Sequence, residues 1–95
     1  MELKENNYSK EEKIKKYCLY HINEIADGKN VRLNLRILSE IYFNYEDKEI
    51  YDYCLLYWAW DDLDYQEYQD YWPKANKNNI LELTIEYANK WIKDL

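Results

Sequence analysis

Glycine and proline are almost absent from this chain, which has one of each, Gly28 and Pro73, in 95 residues. Hairpin turns want residues at positive φ, so a many-stranded fold has little turn chemistry to draw on. A backbone that approaches phosphate closely also needs several glycines, which excludes a P-loop and a dinucleotide fingerprint. Histidine is equally scarce. His21 alone excludes the two-histidine zinc helix and leaves few acid–base arrangements near neutral pH. The two cysteines, Cys18 and Cys54, lie in apolar helical patterns and read as buried free thiols of a reducing compartment. The longest apolar-plus-aromatic run, Tyr53 to Trp60, has eight residues and is too short to span a bilayer. Charges run through residues 1–16, so no secretory signal is expected there. A soluble, cytoplasmic protein is the expectation.

What the chain does have is tyrosine. Twelve tyrosines and four tryptophans stand against a single phenylalanine. They reconcile an apolar and aromatic content of 47% with a mean hydropathy of -0.88, because hydropathy scales penalise a residue whose ring still buries well. One domain near the low end of independently folding sizes follows.

Helical spacing recurs along the chain. Residues 1–8 are polar and read as loose. Ser9 reads as an N-cap with Glu12 completing a capping box. Ile14, Tyr17, Cys18, His21, Ile22 and Ile25 then form one stripe, which Gly28 ends as the residue after the cap. Asn30 reads as the cap of a second helix with the stripe Val31, Leu35, Leu38, Tyr42 and Tyr45, widened by Ile37 and Ile41. Arg32, Arg36 and Glu40 read as a paired row on its solvated side. After a break at residues 44–47, Ile50, Cys54, Tyr57 and Trp58 mark one side of a third helix, flanked by Tyr51 and Leu55. That helix either continues past Asp61 or yields to a fourth capped by Asp64 with Glu67. Tyr65, Tyr68 and Trp72 keep helical spacing in both cases, and Pro73 ends the element at about Trp72. A polar loop, 74–79, precedes a last helix with the stripe Leu81, Ile85, Ala88, Ile92 and Leu95, Trp91 alongside. The expected fold is all-α, a compact bundle of four or five short helices forming a single domain over residues 1–95.

Catalytic and metal templates find little support. Asp62, Asp64 and Gln66 hint at a calcium loop, but Glu67 stands where the turn glycine belongs and Pro73 where the closing glutamate belongs. His21 and Cys18 share a face, yet two ligands do not make a metal site, so His21 reads as a satisfied core histidine. Carboxylate pairs are plentiful, but so short a chain leaves little to form a cleft. No enzyme activity, cofactor or metal is expected.

The formal charge of -6 is concentrated. Residues 46–70 hold nine acids against Lys48 alone, a net of -8, while residues 1–45 and 71–95 are each +1. Carboxylates give steered association with a basic surface, and neighbouring aromatics supply desolvated anchors. The candidate partner-binding residues are Asp61, Asp62, Asp64, Tyr65, Glu67, Tyr68, Asp70, Tyr71 and Trp72. The expected partner is a basic protein. Nucleic acid is disfavoured as a direct ligand because the acids repel phosphate. The competing reading is an ordinary solvated surface.

Tyr71-Trp72-Pro73-Lys74 resembles the Tyr-Tyr-Pro-Lys segment of the colicin-type nuclease immunity proteins. Trp91 follows Pro73 by the interval that separates that family's proline from the tryptophan of its last helix. The opening Met1-Glu2-Leu3-Lys4 is similar as well. The resemblance implies a small acidic helical inhibitor that binds and blocks a bacteriocin nuclease, with Tyr71 and Trp72 as aromatic anchors. The chain departs from the family in having tryptophan at 72 and a second helix of little net charge. Three roles follow as expectations: an immunity-type inhibitor of a basic toxin or nuclease, a phage-encoded anti-defence inhibitor whose acids imitate nucleic acid, and a plain helical adaptor.

Overall fold

The computed structural model describes residues 10–95. The Ser9 cap, the expected looseness of residues 1–8 and the Met1–Lys4 similarity lie outside the described residues. The first element, α1 (Lys10–Ala26), ends as its glycine requires. The Gly28 N–H donates to the Ile25 carbonyl and the Lys29 N–H to that of Glu24, both at 2.9 Å. This is the paired closure of a Schellman turn, with Gly28 at φ 74. A Cβ there would meet Ile85 at an ordinary 3.6 Å, so backbone conformation, not space, selects glycine. Cys18, His21, Ile22 and Ile25 are buried as the stripe predicts, whereas Tyr17 is exposed and meets His21 edge-on.

α2 (Val31–Tyr45) follows at once. Asn30 precedes it, but its side chain makes no cap bond and its backbone lies at φ 44, ψ 47. Asparagine tolerates this left-handed conformation. Asn34 locks the corner instead. Its amide nitrogen donates to the Lys29 and Asn30 carbonyls at 3.0 Å each, and its Oδ1 faces His21 Nδ1 at 2.7 Å. With both amide hydrogens given to carbonyls, Oδ1 accepts, so in the neutral ring the hydrogen sits on Nδ1. Val31, Leu35, Leu38 and Ile41 are buried, Tyr42 is half-buried, and Tyr45 is exposed rather than in the stripe. The break falls where expected: Glu46 turns left-handed, and Asp47 caps a short 3-10 turn (Lys48–Ile50) by accepting from the Glu49 N–H.

α3 (Tyr51–Tyr65) buries a face that only partly coincides with the expected one, Ile50 just before it and Cys54 being buried as the spacing predicts. Tyr53, Leu56, Ala59 and Leu63 are in the core together with Cys54. Tyr57 and Trp58 are only half-buried, and Tyr51 is exposed. Rings stand on both sides of this helix, so periodicity alone marks either face. The helix also stops at Tyr65. Asp64 caps nothing, no helix begins with it, and Tyr65, Tyr68 and Trp72 do not share a helical face, because Gln66 is already extended at φ -151, ψ 173.

The 66–79 connection is ordered by amides. Gln69 Oε1 accepts from the Tyr71 and Trp72 N–H groups, and its Nε2 donates to the Trp72 and Ala75 carbonyls. Asn76 Oδ1 then accepts from the Asn78 and Asn79 N–H groups while Asn79 Oδ1 accepts from the Asn76 N–H. This reciprocal pair acts as a capping box that launches α4 (Ile80–Lys93). In α4 the buried positions are Ile80, Thr84 and Ala88, whereas Leu81 and Leu95 of the expected stripe are exposed.

α1 packs against α2 and α4, and α2 packs against α3. Long side chains join α3 to α4: Trp60 Nε1–H donates to Thr84 Oγ1 at 3.1 Å, Tyr87 O–H donates to Asp52 at 2.8 Å, and the Tyr53 ring meets Tyr87 and Trp91 edge-on. A second cluster, Ala59, Leu63, Ala75 and Ile80, forms where the connection folds back. Trp60 and Trp72 pack against both clusters. Among the described residues the result is an all-α bundle of four α-helices.

Candidate partner-binding surface

The acidic end of α3 is less bare than its sequence implies. Asp61 and Asp64 lie one turn apart and both face Arg32 of α2, whose guanidinium pairs with Asp64 and stands 3.5 Å from Asp61. The Asp64 hydrogen bond holds the Arg32 pKa above its ordinary value. Glu67 is met by Lys77 at 3.0 Å, and Glu49 by Lys15 at 3.4 Å. Arg32 therefore leaves the expected solvated row and reaches across to α3, while Arg36 and Glu40 remain paired along α2 at 3.7 Å. Four of the nine acids in 46–70 thus have cationic partners drawn from outside the segment. Asp52 accepts the Tyr87 hydroxyl, and Asp47 caps the 3-10 turn. Asp62, half-exposed, and Asp70, exposed, form no ion pair among the described residues.

The candidate aromatics divide as sharply. Tyr65, Tyr68 and Tyr71 are 85%, 64% and 42% exposed. Trp72 is half-buried, edge-on to Tyr87 with ring centroids 5.2 Å apart, and helps fill both buried clusters. Trp72 therefore anchors the connection to the core, and Tyr71 is the ring of that pair which faces outward.

Tyr71 does not stand alone. Its ring lies 5.6 Å from that of Trp58, which lies 5.9 Å from Phe43 and 6.5 Å from Tyr51; Tyr51 in turn lies 5.2 Å from Tyr42. Phe43, 60% exposed, and Tyr51, 39% exposed, are as open as Tyr71. Five rings from α2, α3 and the connection thus make one continuous wall. Sequence periodicity missed Phe43 because it falls off the α2 stripe; its signal was a large apolar residue on a helix face otherwise polar.

Elsewhere the reactive side chains are enclosed. Both cysteines are free and buried, and burial pushes each thiol up to about 11, with Asp47 and Glu49 adding to the effect at Cys18. Thiols so placed are poor nucleophiles. Among the described residues no three His, Cys, Asp or Glu side chains gather as metal ligands, and no helix is long and apolar enough to cross a membrane. An open hollow of about 320 Å³ lies between Trp60, Leu63, Asp64, Lys77 and Ile80.

No protein-family model matches the chain, and no curated protein or solved structure matches it either.

Proposed function

We propose that this chain is a non-catalytic protein inhibitor that binds a basic protein, a toxin or nuclease, and blocks it by occlusion in the manner of an immunity protein. The observation that carries the reading is the concentration of exposed tyrosines, Tyr65, Tyr68 and Tyr71, beside the uncompensated carboxylates Asp62 and Asp70. Tyrosine supplies large contact area at low entropic cost. Carboxylates steer a basic partner into register and repel nucleic acid. Neither thiol nor the enclosed His21 ring is placed to do chemistry on a substrate, so occlusion needs no cofactor and no reaction. The site of action is the cytoplasm, where both thiols stay reduced.

The anti-defence reading, in which acids imitate phosphates, draws less support. A mimic needs rows of free charge, and Asp61, Asp64 and Glu67 are already partly compensated, the first two sharing Arg32 and the third meeting Lys77.

Affinity capture from the native host at low salt, followed by an activity assay on the protein eluted by salt, tests the proposal. The expected result is a basic, nucleic-acid-handling protein whose activity stops at one equivalent of this chain. Recovery of only acidic or neutral partners, or of a partner left fully active, would sink the reading.

A further inference from the structure

α3 carries two apolar faces and the bundle uses one. Tyr53, Leu56 and Leu63 enter the core, while Tyr51, Leu55, Trp58 and Asp62 recur at four- and three-residue spacing on the other side. That second side stays half-open: Leu55, Trp58 and Asp62 are half-buried and Tyr51 is exposed. Phe43 and Tyr71 close in from α2 and from the connection and extend it. Exposed rings in mutual contact mark an interaction surface more strongly than scattered ones. Two acids adjoin the rings along the chain: Asp62 lies one helical turn beyond Trp58 on α3, and Asp70 directly precedes Tyr71.

We infer that Phe43, Tyr51, Trp58 and Tyr71, bordered by Asp62 and Asp70, form a docking wall for an arginine-bearing segment of a protein partner. The inference rests on the binding reading above, and it relocates the working surface from Asp61, Asp64 and Glu67, which have partners within the chain, to a face that does not. Two features select the occupant. A guanidinium stacks flat on an aromatic face and is attracted by its quadrupole, and it forks onto a carboxylate at the ring's edge. An uncharged apolar partner would leave Asp62 and Asp70 without a counter-charge. A second copy is disfavoured for the same reason: an isologous contact sets the same patch against itself, opposing acid to acid in a chain of charge -6.

The test uses an oligo-arginine peptide and an oligo-lysine peptide of equal length, titrated into the full chain at low salt. Intrinsic tryptophan fluorescence and calorimetry follow the binding. The expected result is that oligo-arginine binds about fivefold more tightly than oligo-lysine, the scale of cation–π contacts at exposed rings. Phe43→Ser and the double variant Asp62→Asn/Asp70→Asn each lower oligo-arginine affinity about tenfold. Asp61→Asn/Asp64→Asn changes it less than twofold. Circular dichroism melts confirm that each variant is folded, and Tyr71→Ser offers a second ring deletion should Phe43→Ser unfold. Equal binding of the two peptides, or loss centred on Asp61 and Asp64, overturns the wall while leaving a generic acidic inhibitor intact. Absence of peptide binding overturns the wall as well, and so does self-association abolished by Phe43→Ser. A wall confirmed by the peptides in a chain that inhibits no basic protein would instead overturn the inhibitor reading alone.

Discussion

Arg32, in the first turn of α2, pairs with Asp64, in the last turn of α3. Each charge is at the wrong end of its own helix. A cation disfavours a helix N-terminus and an anion a C-terminus, and α3 has no basic residue in its last turn to offset Asp61, Asp62 and Asp64. The cross-helix pair answers both penalties at once and fixes the antiparallel register of α2 on α3. Arg32→Gln should cost about 1 kcal/mol or less, since both partners are well exposed to solvent. Urea titrations at low and high salt check this, and the difference between wild type and variant should shrink as salt rises.

A buried hydroxyl without a partner makes an opposite prediction. Tyr53 is fully buried and its O–H makes no hydrogen bond, whereas Tyr87 donates to Asp52. Tyr53→Phe should therefore stabilise the fold by about 1 kcal/mol, and Tyr87→Phe should destabilise it by about 1–2 kcal/mol. Thermal or urea unfolding of the two single variants separates the cases.

Alkaline pH weakens the fold in a defined order. Burial raises the folded pKa of Cys18 and Cys54 from 9.0 to about 11, and raises Tyr53 and Tyr87 above 10.0. The native state keeps these protons where the unfolded chain releases them. The stability they contribute is complete below pH 9 and is lost as pH rises through the folded values. Stability should begin to decline just above pH 9, and Tyr53→Phe should flatten the part of the decline beyond pH 10. Native thiols should label with iodoacetamide far more slowly than those of the urea-unfolded chain at the same pH.

His21 and Asn34 make a buried polar joint between α1 and α2. Asn34→Ala strands the His21 ring and removes the side-chain bond to the Lys29 carbonyl, while the Asn30 carbonyl keeps the backbone N–H of residue 34, and should cost about 2 kcal/mol. Nitrogen-15 spectra of the wild type should place the ring hydrogen on Nδ1. A neutral ring with its hydrogen on Nε2 and none on Nδ1 would contradict Asn34 Oδ1 as the acceptor.

Much of this fold could be read from residue order, and the parts that could not share a cause. Gly28 announced its turn because only glycine takes that conformation cheaply, and α1 and α2 each show one apolar side. α3 was ambiguous because tyrosine and tryptophan serve core and surface equally well, so Tyr53 and Trp58 could not be told apart by spacing. The end of α3 was hidden for another reason. Gln69, which orders the 66–79 connection, makes its bonds through an amide that any polar residue would seem to match. Gln69→Ala should release the connection, shift the Trp72 environment toward solvent in fluorescence, and cost about 2 kcal/mol. In the candidate site, the exposed tyrosines were legible, but the pairing of Asp61 and Asp64 was not, since Arg32 lies 29 residues from Asp61 and farther still from Asp64.

The most direct measurement of the central claim is a titration of the basic partner, captured from the native host, with wild-type chain and with the charge-reversed variant Asp62→Lys/Asp70→Lys. Wild type should inhibit completely at one equivalent, and the folded variant should bind at least tenfold more weakly, as expected for reversed charge at a steered interface. Equal inhibition by the two proteins would contradict that claim.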